Sequence, residues 1–229
     1  MPSTEEPTIT VDAPAWEAVV FDCDGTLLDS EPLAGYCETL LLAEHGYEMT
    51  DDDHVACTGY GQTATYEYFA ARVSLPPERV FWDAFDTLFS THSGERLHAF
   101  PDALKAVALL AGQGTPVAVA SSTPRKRLDK QLAHGGLIDC FDAVVAGDEV
   151  AVPKPAPDPY LTAARLLGVE PDRCLAVEDS RPGIESARAA GMRVVMIDRK
   201  AGAGSCPADV RVTDLMSAEA LSVWERAGR

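Results

Sequence analysis

The sequence predicts an α/β protein: a doubly wound parallel sheet with a small all-helical domain inserted into it. From about residue 101 onward, short and nearly all-apolar runs alternate with helical stretches, which is typical of parallel strands that helices cover on both faces. Between residues 31 and 100, helical stretches follow one another without a strand of comparable strength. We therefore expect a core domain formed by 15–30 and 101–229, and a helical cap domain formed by 31–100.

The individual elements can be assigned in chain order. The polar, proline-containing segment 1–14 predicts a flexible arm, and the apolar run 19–21 predicts the first strand. Helical stretches of the cap are expected within 31–46, 61–73 and 76–97, and the acidic run 51–53 indicates a solvated helix start. In the core, the pattern predicts helices within 101–112, 124–136, 157–168 and 181–191 and strands within 115–122, 141–147, 174–179 and 192–198.

Composition restricts the class of partner and the compartment. The net charge of −17 and the isoelectric point near 4.5 argue against nucleic acid and anionic membrane surfaces as partners. The six cysteines include no CxxC pair, and the sequence shows no signal peptide, so we expect reduced thiols and a cytoplasmic location. No apolar run approaches the roughly 20 residues that span a bilayer. We expect a monomer or a weak dimer.

Two acidic side chains follow the first strand. In an extended chain alternate side chains share a face, so Asp22 and Asp24 begin by pointing in roughly the same direction. Two carboxylates at the end of an apolar strand repel each other and are costly to desolvate unless a cation or hydrogen-bond donors compensate them. The alternative, that both merely cap a turn, does not explain why a buried strand ends in two acids.

Other polar residues follow the later strands. Ser121 and Ser122 end one strand, Lys154 lies in the loop after the next, and Glu178 and Asp179 end a third. Because the carboxyl ends of parallel strands lie at one edge of the sheet, these groups are expected to meet in a single crevice. Carboxylates from two strands suit Mg²⁺, which keeps waters and a substrate phosphate in its octahedral shell. The serines can instead cap the next helix, and the lysine can be a solvated loop residue.

The motifs resemble those of a known family. The stretches DCDGTLLDS, VASST, KPAPDPY and VEDSRPGIESARAAGM resemble, in order and spacing, the four motifs of the haloacid dehalogenase superfamily, and the helical insert lies where its first-type cap would be. The resemblance covers about residues 16–200. One departure is FPDA at 100–103, where many relatives have proline-glycine, and it leaves the exact hinge between cap and core open.

The resemblance implies roles for the two aspartates. Asp22 would be the nucleophile that attacks phosphorus to form an aspartyl phosphate, and also a metal ligand. Asp24 would protonate the leaving oxygen and then activate water, while its backbone carbonyl contacts the metal.

The resemblance also implies roles for the later motifs. Ser121, Ser122 and Lys154 would bind the transferring phosphoryl group, and Asp179 would bind Mg²⁺. Glu178 would contact the metal directly or through water, although a role in orienting other groups suits it equally.

Substitutions within the motifs favour a phosphatase of small phosphorylated metabolites such as sugar phosphates. Asp24 is present, whereas haloacid dehalogenases proper lack this second aspartate. The alternative is a β-phosphoglucomutase-like enzyme, whose cap binds a second phosphate through an arginine and a lysine. Here Gln62 falls about where that arginine would be, and residues 31–100 contain no lysine and twelve acids against three arginines. A non-enzymatic binding protein is a third alternative, but it need not keep both aspartates. Candidate substrate contacts from the cap are Glu31, Tyr60, Gln62 and Tyr66.

Overall fold

The computed structural model describes residues 16–57, 60–199 and 206–225. The strands are β1 (Ala18–Phe21), β2 (Leu28–Asp29), β3 (His98–Ala99), β4 (Val117–Ala120), β5 (Ala143–Val145), β6 (Cys174–Glu178), β7 (Arg193–Ile197) and β8 (Val210–Val212). The helices are α1 (Glu31–Glu44), α2 (Asp51–Cys57), α3 (Gln62–Ala70), α4 (Glu78–Arg96), α5 (Pro101–Gly112), α6 (Arg125–His134), α7 (Asp158–Leu167), α8 (Arg181–Ala189) and α9 (Ala218–Trp224). The predicted arm at 1–14 lies outside the described residues.

Six strands form a parallel sheet in the order β5-β4-β1-β6-β7-β8. The first strand lies in the middle and pairs with β4 on one side and β6 on the other, so Val20 lies between Ala118 and Ala176. Chain order therefore reverses at β1, and this reversal opens a crevice at the carboxyl end of that strand. The predicted doubly wound sheet is confirmed.

Apolar side chains fill both faces of the sheet. Val19 and Phe21 point into one apolar cluster, whereas Ala18 and Val20 point into the other, as the two-residue period of a strand requires. Helices α7 and α8 contribute to the second cluster, and the first continues from the sheet into the cap helices. Every residue of β1 is fully buried. The polar residues that directly follow this strand are therefore candidates for a functional site.

Helices α1 to α4 occupy the segment predicted to form the cap, and a two-stranded antiparallel ribbon connects this segment to the sheet. In the ribbon, Leu28 pairs with Ala99 and Asp29 pairs with His98. Helix α1 packs against α4. The buried Asp53 accepts hydrogen bonds at 2.7–3.1 Å from Thr50, Tyr47 and Tyr68 and fixes the start of α2, so this acid differs from the solvated residue expected there.

A guanidinium group holds the base of the ribbon. Arg199 donates to the backbone carbonyl oxygens of Gly25 and Thr26 at 3.3 and 2.8 Å and forms an ion pair with Asp102 at 2.9 Å. Its guanidinium carbon lies 3.6 Å from the ring centroid of Phe100. The FPDA stretch therefore supplies an aromatic ring and a carboxylate to this contact, and the chain returns to the core through β3 immediately before it.

The sequence did not predict the three short strands β2, β3 and β8 or the last helix, α9. β2 and β3 have two residues each, and β8 has three. Helix α9 is the last described element. The indole of Trp16, which precedes β1, donates to the Val223 carbonyl of this helix at 3.0 Å. No described helix has the length and apolar character needed to cross a bilayer. The six cysteines, all within the described residues, form no disulfide with one another.

Candidate active site

The carboxyl ends of β1 and β6 place a lysine between two carboxylates. Lys154 Nζ lies 2.6 Å from Asp22 Oδ1 and 2.6 Å from Glu178 Oε1. These three residues are 4%, 7% and 0% exposed, respectively. The expectation that residues far apart in the chain meet at this edge is therefore met for Asp22, Lys154 and Glu178, and the alternative of a solvated loop lysine is excluded.

Glu178 is held from several sides. Tyr160 donates its hydroxyl to Glu178 Oε1 at 2.9 Å, and Glu178 Oε2 accepts at 3.0 Å from the backbone amides of Asp179 and Ser180 and from the Ser180 hydroxyl. A Cβ atom on Gly183 would lie 1.6 Å from Glu178 Oε1, so only glycine fits there. Both Glu178 oxygens thus have partners, and this carboxylate fixes the position of Lys154.

Burial and charge shift the titration of this cluster. Burial alone would lower the pKa of Lys154, but attraction to Asp22 and Glu178 outweighs it and raises that pKa. Burial raises the pKa of Asp22 well above its usual range, and Glu178 and Asp24 add to the rise while Lys154 opposes it. Burial also raises the pKa of Asp179, with repulsion from Asp22 and Glu178 adding. One lysine therefore leaves negative charge uncompensated.

This surplus charge fits a divalent cation. Asp22, Glu178 and Asp179 each offer a carboxylate oxygen, and these oxygens lie within 4.8 Å of one another. Besides this cluster, Asp179 Oδ1 accepts a hydrogen bond from Thr26 at 3.4 Å. An all-oxygen donor set of this kind suits a hard cation. The Asp24 carboxylate is not among these three groups.

The Asp24 carboxylate lies in a shell of polar side chains. Asp24 Oδ1 accepts from the Ser30 hydroxyl at 2.6 Å and from the Gln131 amide at 3.0 Å. Asp24 Oδ2 accepts from the hydroxyls of Thr123 and Ser121 at 2.9 and 3.4 Å. Three of these four partners are hydroxyl groups, which can donate or accept. They can therefore hydrogen-bond to Asp24 whether its carboxyl group is ionised or protonated.

The two predicted serines differ in position. Ser121 is buried, and its hydroxyl oxygen accepts from the Thr123 amide at 3.0 Å. Ser122 lines the active-site cavity. Helix α6 begins after Pro124, and its first amide, that of Arg125, donates to Asp148 Oδ1 at 2.8 Å, so the alternative that either serine caps this helix is excluded.

A cavity of about 610 Å³ extends from these groups, which we call the strand-end site (Asp22, Asp24, Lys154, Glu178, Asp179), to the cap. Of the predicted cap residues, Glu31, Tyr60 and Gln62 line the cavity. Tyr66 is not among the described lining residues, because its hydroxyl donates to the Pro76 carbonyl at 2.6 Å and its ring packs on Phe81. This corrects the expectation that Tyr66 contacts the substrate.

The far end of the cavity, which we call the cap pocket (Glu38, Gln62, Trp82, Phe85, Arg127), was largely missed by the sequence analysis. Arg127 of α6 reaches the cap, where it lies 2.8 Å from Asp86 and 4.8 Å from the ring centroid of Phe85. With its carbonyl oxygen turned toward Arg127, the Gln62 amide accepts from this guanidinium at 3.0 and 3.2 Å. Nothing in the sequence analysis indicated Arg127; its position in the first turn of the helix after the serine motif is the one signal that could have done so.

Comparison with known proteins identifies the family. A family model described as haloacid dehalogenase-like hydrolase matches residues 19–197. The chain belongs to the haloacid dehalogenase-like hydrolases. This membership confirms the resemblance and the expectation of a hydrolase.

Relatives within this haloacid dehalogenase-like family include phosphatases. The chain is 35% identical to Protein SUPPRESSOR OF QUENCHING 1, chloroplastic, of Arabidopsis thaliana, over 85% of this chain and 19% of that protein. It is 33% identical to hexitol phosphatase B of Escherichia coli (strain K12), over 79% of this chain and 82% of that protein. The solved structure of a CbbY variant from Rhodobacter sphaeroides in complex with xylulose-(1,5)bisphosphate matches with a TM-score of 0.81 at 25% identity, over 91% of this chain and 99% of that one. The predicted enzyme class, a phosphatase of this family, agrees with the name of the hexitol phosphatase.

Proposed function

We propose that the protein is a Mg²⁺-dependent phosphatase that hydrolyses a small sugar-phosphate monoester through an aspartyl phosphate on Asp22. The observation that supports this most is the arrangement of Asp22 against Lys154 at 2.6 Å, with Asp24 two residues further on in its own hydrogen-bonded shell. A nucleophile, a phosphate-binding cation and an acid/base group thus lie at one end of one cavity. Relatives named as phosphatases support the same activity.

The first step makes and breaks one bond to phosphorus. An Asp22 carboxylate oxygen attacks phosphorus, the bond from phosphorus to the ester oxygen breaks, and Asp24 gives its proton to the leaving oxygen. Lys154, Ser121 and Ser122 bind the phosphoryl oxygens as charge moves between them. Positioning and charge neutralisation are most of what phosphoryl transfer requires.

The second step returns the enzyme to its starting state. Asp24 takes a proton from water, the water oxygen attacks phosphorus, and the bond between Asp22 and phosphorus breaks to release inorganic phosphate. Acid/base help of this kind is typically worth roughly 10² to 10⁴ in rate. Asp22 and Asp179, with Glu178 direct or through water, would hold Mg²⁺, which neutralises charge on the phosphoryl oxygens when bound.

The substrate class follows from the cap. Gln62 is turned toward Arg127, and Arg127 is paired with Asp86, so Arg96 is the one described cap arginine on the cavity wall that has no carboxylate partner to give up to a second phosphate. This favours hydrolysis over the mutase alternative, which must bind two phosphates. We also propose a cytoplasmic location, supported by six cysteines without a disulfide among them. The two-domain division and the monomer or weak dimer stay predictions.

The test is release of inorganic phosphate from a panel of sugar, polyol and nucleoside monophosphates, with Mg²⁺ and with a chelator. We expect metal-dependent release that Asp22→Asn abolishes and that the exposed control Asp52→Asn leaves unchanged. Isomerised sugar phosphate with little free phosphate would instead establish the mutase. Absence of both products with folded protein and metal present would refute both enzymatic activities.

A further inference from the structure

Helix α1 lines the active-site cavity from Glu31 to Thr39. Glu31, Gly35 and Glu38 all border the cavity, at the three- and four-residue spacing that places side chains on one helix face. The charge of Glu31 acts on Asp179, so this end of α1 lies near the strand-end site. Glu38 follows seven residues later, roughly 10 Å further along the helix axis. A substrate whose phosphate lies at Asp22 therefore needs an extended body to reach Glu38.

Glu38 is a carboxyl group without a protein partner in the part of the chain that the structure describes. It is partly buried, and no described residue donates a hydrogen bond to it or forms an ion pair with it. Burial raises the pKa of Glu38 to about 7, and attraction to Arg127 only partly opposes this rise. Its oxygens are therefore acceptors that the fold leaves for a ligand.

The charged and titratable groups around Glu38 offset its charge only in part. Arg127 is paired with Asp86, and the Arg96 guanidinium carbon lies 4.4 Å from the ring centroid of Tyr36. Burial raises the pKa of the adjacent Cys37 to about 11 and that of Cys57 to about 12, so both thiols stay neutral. The other titratable groups of the cavity wall on α1 and α2 are Glu31, Tyr36 and His54.

We propose that Glu38 is a specificity-determining residue that binds the hydroxylated, uncharged end of the substrate and rejects a carboxylate or a second phosphate at that position. The proposal rests on the proposed phosphatase function, to which it adds the chemistry of the distal end. A carboxylate accepts hydrogen bonds from hydroxyl groups. A second anion facing it in a partly desolvated pocket is repelled, and such repulsion is a common source of specificity.

A matched pair of substrates isolates this effect. Sorbitol 6-phosphate and 6-phosphogluconate have the same length and the same phosphate, and they differ only in a terminal hydroxymethyl group against a carboxylate. We expect wild type to prefer sorbitol 6-phosphate, and Glu38→Gln to reduce the ratio of the two kcat/KM values by about tenfold. Glu44→Gln removes the same charge from an exposed position on the last turn of α1 and should leave the ratio unchanged.

The dependence of this kcat/KM ratio on pH is a second test, because a purely structural role of Glu38 would not change it. Above pH 7 Glu38 is ionised and repels the carboxylate, whereas below pH 7 it is protonated and does not. The preference of wild type should therefore increase between about pH 6 and about pH 8.5, and the preference of Glu38→Gln should stay flat. Titration of the phosphate cancels in the ratio, because both substrates carry it.

Calorimetric titration of the two substrates into Asp22→Asn and into Asp22→Asn with Glu38→Gln repeats the comparison without turnover. The proposed function would be refuted, and the inference retained, by two results together: wild type releases no phosphate, and the binding preference for sorbitol 6-phosphate is lost when Glu38→Gln is added to Asp22→Asn. A preference that is equal in wild type, Glu38→Gln and Glu44→Gln, or that is flat with pH in wild type, would overturn the inference and leave the phosphatase intact. If Glu38→Gln does not fold, the pH profile of His54→Asn decides, because this variant removes the histidine that borders the cavity and keeps Glu38.

Discussion

The strand-end site and the cap pocket border the same cavity but are built differently. At the strand ends, Lys154 lies 2.6 Å from both Asp22 and Glu178, and the backbone amides that follow β6 hold Glu178. In the cap pocket, the contacts of the Arg127 guanidinium with described residues are with side chains, and Tyr60, which borders the same cavity, is 49% exposed. The sheet thus positions the groups of the strand-end site, whereas the contacts of the cap pocket can change by substitution on helices without disturbing the sheet.

The largest expected effect comes from removing the buried lysine. Lys154→Met leaves Asp22 and Glu178 without their counter-charge, so we expect a loss of about 10²- to 10³-fold in kcat and of about 3 to 5 kcal/mol in the free energy of unfolding. Phosphate release and urea denaturation measure the two losses. Lys105→Met, an exposed position on α5, is the control. Retention of wild-type stability by Lys154→Met would contradict a tightly built strand-end site.

The next effect separates backbone strain from damage to the site. Gly25 and Gly46 have φ of +80° and +78°, but an added Cβ would lie 2.1 Å from Asp179 Oδ2 at Gly25 and would meet nothing within 4 Å at Gly46. Both alanine variants should lose about 1 to 2 kcal/mol of stability. Only Gly25→Ala should also raise the Mg²⁺ concentration for half-maximal activity, by about tenfold. Equal metal titrations of the two variants would show that Asp179 does not hold the ion.

A smaller effect is expected on the cap side. Arg127→Met keeps apolar contact with Phe85 but breaks the ion pair with Asp86. We expect KM for a sugar phosphate to rise about three- to tenfold while kcat stays within about twofold, because the group binds and does not react. Lys126→Met, the exposed neighbouring position, is the control. A decrease in kcat equal to that of Lys154→Met would place Arg127 in the chemical step.

The smallest effect lies in the cap, away from the cavity. Burial would raise the pKa of Asp53, but hydrogen bonds from Thr50, Tyr68 and Tyr47 outweigh it and lower the pKa to about 2. A lowered pKa stabilises the fold above the unfolded-state value of about 3.9, and the contribution is lost as pH falls toward 2. Asp53→Asn should therefore lose about 1 to 2 kcal/mol near pH 7 and less near pH 3, measured by thermal denaturation. A loss independent of pH would contradict this origin.

The difference between the two ends also explains what the sequence could predict. One rule predicts that Asp22, Lys154 and Glu178 meet: the carboxyl ends of parallel strands lie at the same edge of the sheet. The prediction holds wherever the strands are correctly assigned. Gln131 contacts Asp24 from the second turn of α6, and neither spacing nor residue type indicates this. Tyr66 was expected to contact the substrate, but its hydroxyl donates to the Pro76 carbonyl, a contact that residue type and spacing do not indicate.

Short elements were missed for a different reason. A two-residue strand such as β2 shows no periodicity, and its existence depends on β3, some 70 residues later in the chain, as its partner. Asp53 differs from its neighbours Asp51 and Asp52 because Tyr47 and Tyr68 approach it from outside its own helix. Contacts between distant segments decide these cases, and a local pattern does not contain them.

The contacts of Arg199 have a consequence for protein engineering. The residues that hold the base of the ribbon, including Gly25, Phe100 and Asp102, all lie outside the segment between Ser30 and Leu97. If this helical segment were replaced by that of another family member, all of the Arg199 contacts at the base of the ribbon would therefore be kept. Exchange of this segment offers a route to chimeric enzymes that combine one reaction with new substrate choices.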